Sequence, residues 1–304
     1  MLSTRRRILV FLLTLGALTG LQAQEKDMLK MVESFQWVSP QAKGSVDGVE
    51  HRTFYSQANQ ADVGYYVSFP AGYADPKNVG KRYPVIYYLH GGRPGAESKG
   101  LGGYRNFRGD RAGDRMPPHI FVMVNGGKLS HYDYIDGYLG VQAFMEFVKH
   151  LDGTERTLVD RTSRVLIGSS QGGRAVGRYL FRYPELFATG VSIAGGHQRE
   201  LIISENEGSE LNGIVIPDAS NNVFDNARTY VDRGEAAPAV SLMVVVGNED
   251  ENYPGNLVWC AQLAEWGIEH ELMVVPGTGH GVSFDIENSR ERVWRFMSQG
   301  LDRE

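Results

Sequence analysis

The sequence predicts an α/β fold, with a mainly parallel central sheet flanked by helices and an antiparallel hairpin at the N-terminal side. Three observations predict it. Tyr83–Leu89, Ile120–Val124 and Val165–Ile167 are short and almost wholly apolar, as strands covered on both faces must be. Segments with helical spacing stand between such runs; in Gln142–Leu151, Phe144, Phe147, Val148 and Leu151 share one face. Strands that alternate with helices pair in parallel, because each crossover needs a connection of helix length.

Taken in order, residues 24–48 are polar with scattered apolar positions and read as a surface-wrapping leader. Val49–Ser56 and Val63–Phe69 are rich in β-branched and aromatic residues and flank the polar turn Gln57–Ala61, which predicts the hairpin. Pro70–Tyr73 and Asp75-Pro76 break the pattern, and Tyr83–Leu89 then runs into His90-Gly91-Gly92. Residues 93–118 are polar, rich in Gly and Arg, and read as a long loop before Ile120–Val124. Asn125–Tyr138 is a loop carrying His131, Tyr132, Tyr134 and Tyr138. After the helix at 142–151 and the strand at 164–167 come a helix from Arg174 and a strand at Gly190–Ala194. Residues 197–238 are more polar and form a candidate cap, with a helix near Asn222–Arg233. Val240–Val246 and Glu271–Val275 complete the strands, separated by a helix at Leu257–Trp266, and a helix at Ser289–Met297 closes the chain.

The 304 residues are 42% hydrophobic, enough for a substantial core in one domain over 24–304. A net charge of −5 from 31 basic and 36 acidic residues argues against nucleic acid or anionic membranes as partners. Arg5-Arg6-Arg7 followed by the apolar Ile8–Leu21 and the small or polar Leu21-Gln22-Ala23-Gln24 reads as a signal peptide over 1–23. The expectation is therefore an exported protein, periplasmic or secreted, off the membrane after cleavage. Cys260 is the sole cysteine, so no intramolecular disulfide forms. The histidines are scattered with no ligand spacing, and neither a metal nor another cofactor is expected.

Chemistry concentrates at Gly168-Ser169-Ser170-Gln171-Gly172, a Gly-x-Ser-x-Gly sequence between an apolar run and a helical pattern. That context makes a nucleophile elbow with Ser170 as the nucleophile. Functional loops in such sheets gather beyond the carboxyl ends of the strands. Beyond Val240–Val246 comes Gly247-Asn248-Glu249-Asp250, and beyond Glu271–Val275 comes Pro276-Gly277-Thr278-Gly279-His280. The order Ser, acid, His is that of α/β-hydrolases. His280 would act as general base and Asp250 would orient it. Glu249 is the reserve acid; Asp250 is favoured because three residues beyond Gly247 leave room to turn back toward His280. The backbone N–H groups of Gln171 and of Gly92, in the turn after the first buried strand, would hold the oxyanion.

From about Phe54 to Phe296 the chain resembles the esterase branch of the α/β-hydrolases that holds feruloyl and acetylxylan esterases, enterochelin-type siderophore esterases, S-formylglutathione hydrolases and mycolyltransferases. Gly64–Tyr73, Tyr83–Gly92, the elbow and Arg182–Phe187 carry the resemblance. By motif, Ser170, Asp250 and His280 fall on the catalytic positions, and Gln171 and Gly92 on the oxyanion donors. Gln171 stands where the branch commonly has Met, and only its backbone is needed. The resemblance implies a serine esterase working through an acyl-enzyme on a small-molecule or polysaccharide ester, with feruloyl or acetyl groups of plant polysaccharides foremost. Transfer to a sugar hydroxyl, a siderophore ester, and a non-catalytic carbohydrate-binding role are the alternatives. His90, Arg93, Tyr132 and Tyr134 are the candidate substrate contacts, the aromatic loop offering a wall for a phenolic or sugar ring.

Overall fold

In the computed structural model, the residues described are 33–40, 46–107, 115–133, 137–197, 222–280 and 287–301. The expected signal peptide (1–23) and most of the candidate cap (198–221) lie outside them. Among the described residues, eight strands form one sheet in the order β1-β2-β4-β3-β5-β6-β7-β8. They are β1 (Val49–Ser56), β2 (Ala61–Ser68), β3 (Val85–Leu89), β4 (Ile120–Val124), β5 (Arg164–Ser169), β6 (Thr189–Ile193), β7 (Ser241–Gly247) and β8 (His270–Val275). The β1/β2 and β2/β4 pairs are antiparallel, and every pair from β4/β3 to β7/β8 is parallel.

The central strands are apolar throughout because each face meets its own core. Val85, Tyr87 and Leu89 of β3 face one core, which helices α2 (Gly140–Thr154) and α3 (Gln171–Arg182) complete with Phe144, Phe147, Val176 and Leu180. Ile86 and Tyr88 face the other, closed by α1 (Gly100–Phe107) and α6 (Glu287–Leu301) through Leu101, Tyr104, Val293 and Met297. This is the two-residue alternation of a strand. Helices α4 (Val223–Asp232) and α5 (Tyr253–Glu265) join the first core through Phe224 and Trp259. Among the described residues no helix is long and apolar enough to cross a membrane.

Helix α1 corrects the reading of 93–118 as loop. Its glycines lower intrinsic helix propensity by about 1 kcal/mol each, which hides it from a periodicity argument. Close packing accounts for two of the three: a Cβ on Gly103 would come within 2.0 Å of the Tyr88 ring and one on Gly100 within 2.6 Å of Met123, whereas Gly102 has open space. The leader contains a contact that composition did not reveal. The fully buried Glu97 carboxylate accepts from Ser39 N–H at 2.9 Å, from His51 Nε2 at 2.8 Å and from Asn125 Nδ2 at 2.9 Å. Asn125 also donates to the carbonyls of Gln36 and Trp37, so residues 36–39 are tied to the end of β4.

Candidate active site

Strand β5 ends one residue before Ser170, and α3 begins one residue after it. Ser170 sits at φ 54°, ψ −118°, a left-handed conformation that non-glycine residues avoid and that marks functional turns. Its N–H donates to Ile193 O at 2.8 Å and its carbonyl accepts the Arg174 N–H at 3.0 Å, so flanking structure holds the strain in place. The glycines allow this through close approach. A Cβ on Gly172 would lie 1.9 Å from Leu89 O, and one on Gly168 would lie 2.6 Å from Gly172 O.

The loops after β7 and β8 bring in the other two groups. They are laced together by Glu249 N–H to Thr278 O at 3.1 Å and Gly277 N–H to the Asn248 side chain at 2.7 Å. His280 Nε2 stands 3.1 Å from Ser170 Oγ. Its Nδ1 stands 3.0 and 3.2 Å from the oxygens of Asp250. An ionised carboxylate only accepts, so Nδ1 carries the proton and Nε2 turns its lone pair to the serine hydroxyl. Asp250 is fully buried at its side chain while His280 is 34% exposed, which leaves the serine–histidine edge open to a substrate. Glu249 is exposed and is not the acid at His280.

Asn252 is a member of the site that the sequence reading did not single out. Its backbone N–H donates to Asp250 Oδ1 at 2.8 Å. Its side chain donates to Ala194 O at 3.3 Å and packs at the same distance from His280 Nδ1. The one signal in the sequence was its place two residues after the acid.

The turn after β3 passes directly beside the nucleophile, since a Cβ on Gly91 would lie 3.0 Å from Ser170 Cβ. Gly92, at φ +69°, accepts from the Ser130 hydroxyl. The Gln171 N–H is at the first position of α3, where helix amides have no partner within the helix. Its side chain accepts from Arg93 Nη2 at 2.8 Å, so both residues are pinned at the elbow, and both are buried.

His90 and Tyr132 are not surface contacts. His90 is 1% exposed and Tyr132 is 0% exposed, and a ring sealed in the body offers no face to a substrate. Tyr132 lies under the Arg178 guanidinium, 3.8 Å from its ring centroid. His90 is built into the turn: Nδ1 donates to Gly91 O at 3.1 Å, Nε2 accepts from Gly126 N–H at 3.0 Å, and its carbonyl accepts from His131 Nε2 at 2.9 Å. Tyr134 lies outside the described residues.

Burial holds the His90 imidazole down to about 4. It also holds His131 and His197 well below the usual imidazole range. A histidine whose folded value is depressed binds a proton more readily when unfolded. Its contribution is thus complete above about pH 6.5 and is lost as pH falls through that value toward 4. We expect His90 alone to remove about 2–3 kcal/mol of stability between pH 7 and pH 4.5. Urea unfolding at both values checks this, and His90→Gln must show the shallower pH dependence; an equal slope in the variant would disprove it.

The sequence model of the prolyl oligopeptidase family matches residues 126–304. Esterase Rv1288 of Mycobacterium tuberculosis (strain ATCC 25618 / H37Rv) is 24% identical over 238 residues, covering 68% of this chain and 50% of that protein. Esterase MT1326 of the strain CDC 1551 / Oshkosh matches to the same extent. The chain thus spans about half the length of these curated relatives. Among solved structures, a ferulic acid esterase superposes with a TM-score of 0.67 at 20% identity, covering 83% of this chain and 98% of that one. S-formylglutathione hydrolase (FrmB) from Staphylococcus aureus gives 0.67 at 15% identity, covering 82% and 98%. At these identities the likeness is one of fold.

Proposed function

The chain belongs to the prolyl oligopeptidase family of α/β-hydrolases, and from that premise we propose that it is an exported serine carboxylic-ester hydrolase. The observation that carries the reading is the continuous relay from Asp250 through His280 to Ser170 Oγ. Ser170 Oγ attacks the ester carbonyl carbon while His280 Nε2 takes its proton. The backbone N–H groups of Gln171 and Gly92 hold the oxygen that gains charge. Collapse breaks the bond to the alcohol oxygen, which leaves with the proton from His280. Water, deprotonated by His280, then attacks the acyl-serine, and the acid departs as the serine hydroxyl is restored.

The names of the relatives support an ester over other acyl compounds, and the ferulic acid esterase among the fold neighbours supports a feruloyl ester; feruloyl or acetyl esters of plant polysaccharides are the substrates we propose. The leader Arg5–Leu21 supports export. A second reading rests on the family description, which names a peptidase; the same relay cleaves an amide when the leaving nitrogen receives the proton. Turnover of p-nitrophenyl acetate, methyl ferulate and an N-terminally free glycyl-prolyl p-nitroanilide separates the two. Ester turnover well above the anilide is expected. Anilide turnover above both esters would replace the proposal with the peptidase reading, and no turnover of any of the three above a Ser170→Ala control would end both.

A further inference from the structure

A cavity of about 340 Å³ opens at the far rim of the sheet, between the end of β2 and the start of β4. Phe121 pairs with Ile86, and Ile86 with Val165. Ser170 is five residues beyond Val165, roughly 16 Å along the strand direction. The cavity is therefore separate from the triad, and its volume falls in the range of small-molecule pockets, roughly 300–1,000 Å³.

Its walls are mostly apolar: Phe69, Tyr104 and Phe121 supply rings, and Pro70, Pro117 and Pro118 supply much of the remainder, with Ala71 and Met116 beside them. Among the described residues no charged side chain lines it, so a charged ligand would meet no compensating charge there for its lost hydration. The hydroxyls of Ser68 and Tyr104 already satisfy each other at 2.9 Å. His119 is different. It is 6% exposed, and its Nδ1 lies 2.8 Å from Pro117 O. A carbonyl only accepts, so Nδ1 bears the hydrogen and Nε2 of the neutral ring is a bare acceptor. Burial lowers the proton affinity of this imidazole and keeps it neutral. Among the described residues Nε2 has no hydrogen-bond partner, yet it is not sealed in the packed interior. His119 is one of the residues that line the cavity.

We propose that this cavity binds a small neutral phenol, with the ring against the aromatic and proline walls and the hydroxyl donating to His119 Nε2. The ring accounts for the aromatic walls, through edge and offset contacts with Phe69, Tyr104 and Phe121. The hydroxyl accounts for the unmet acceptor, and a phenol is un-ionised at neutral pH.

Saturation-transfer NMR and calorimetric titration of the full chain with 4-methylphenol, 4-methylanisole and 4-methylbenzoate test the site. The phenol should bind roughly 3- to 10-fold more tightly than the anisole, which has the ring without the donor, and the benzoate should not bind. His119→Phe should erase the preference for the phenol. Ala71 lies on the exposed rim, so Ala71→Trp should fill the cavity and abolish binding with the melting temperature unchanged. Equal affinity for the anisole, a preference that survives His119→Phe, or binding that survives Ala71→Trp would each overturn the assignment.

Discussion

Replacing Ser170 with alanine is expected to lower kcat on p-nitrophenyl acetate by about 10⁵- to 10⁶-fold while leaving the fold intact. In the proposed mechanism this hydroxyl forms the acyl-enzyme, and the adjacent hydroxyl does not replace it: Ser169 is buried beneath the elbow with its Oγ at 3.0 Å from the Tyr88 hydroxyl. Because the relay acts as a unit, adding His280→Ala should cost little more than the single change. Residual rate then comes from the backbone donors, which neither substitution touches. The strained φ of 54° at Ser170 adds a control. Ser170→Gly removes the side chain and the strain together, and should raise stability by about 1 kcal/mol as it abolishes activity. Circular dichroism melts alongside single-turnover kinetics read both effects. A Ser170→Ala rate within tenfold of the parent would remove Ser170 from the chemistry.

What could be read in the chain, and what could not, divides along the range of the interactions involved. The strands β3 and β4 were legible because burial on both faces leaves an unbroken apolar run such as Val85–Leu89. The elbow was legible because its backbone geometry demands glycine at 168 and 172, whatever the substrate. Helix α1 was hidden because Gly103 answers to the Tyr88 ring across the sheet rather than to its own helix. His90 and Tyr132 were misplaced for a related reason. Aromatic and imidazole groups in a loop look available to a ligand, but here Gly126, His131 and Arg178 close over them from distant segments. Asn252 is not legible in the sequence because its contacts with Asp250, Ala194 and His280 depend on a turn that no spacing rule specifies.

The neighbouring carboxylates Glu249 and Asp250 are the sharpest instance. Asp250→Asn is expected to reduce kcat by about 10⁴-fold, whereas Glu249→Gln should change it less than about threefold. The turn closed by Asp250 N–H to Gly247 O at 3.2 Å buries the Asp250 side chain and leaves Glu249 in solvent; a shift of one residue would exchange their directions. Asp250 Oδ1 takes both the Asn252 N–H and the His280 Nδ1–H, while Oδ2 stands 3.2 Å from the same Nδ1. In Asp250→Asn the amide oxygen stays with the Asn252 N–H, which must donate, and the amide nitrogen occupies the place of Oδ2. That nitrogen donates to Nδ1, the ring proton moves to Nε2, and the base facing Ser170 Oγ is lost though every atom keeps its position. The defect should therefore fall on kcat with little change in KM or melting temperature. If instead Glu249→Gln caused the larger loss, the relay would have to run through an exposed carboxylate in place of the buried one that meets His280 Nδ1, and the assignment of the acid would fail.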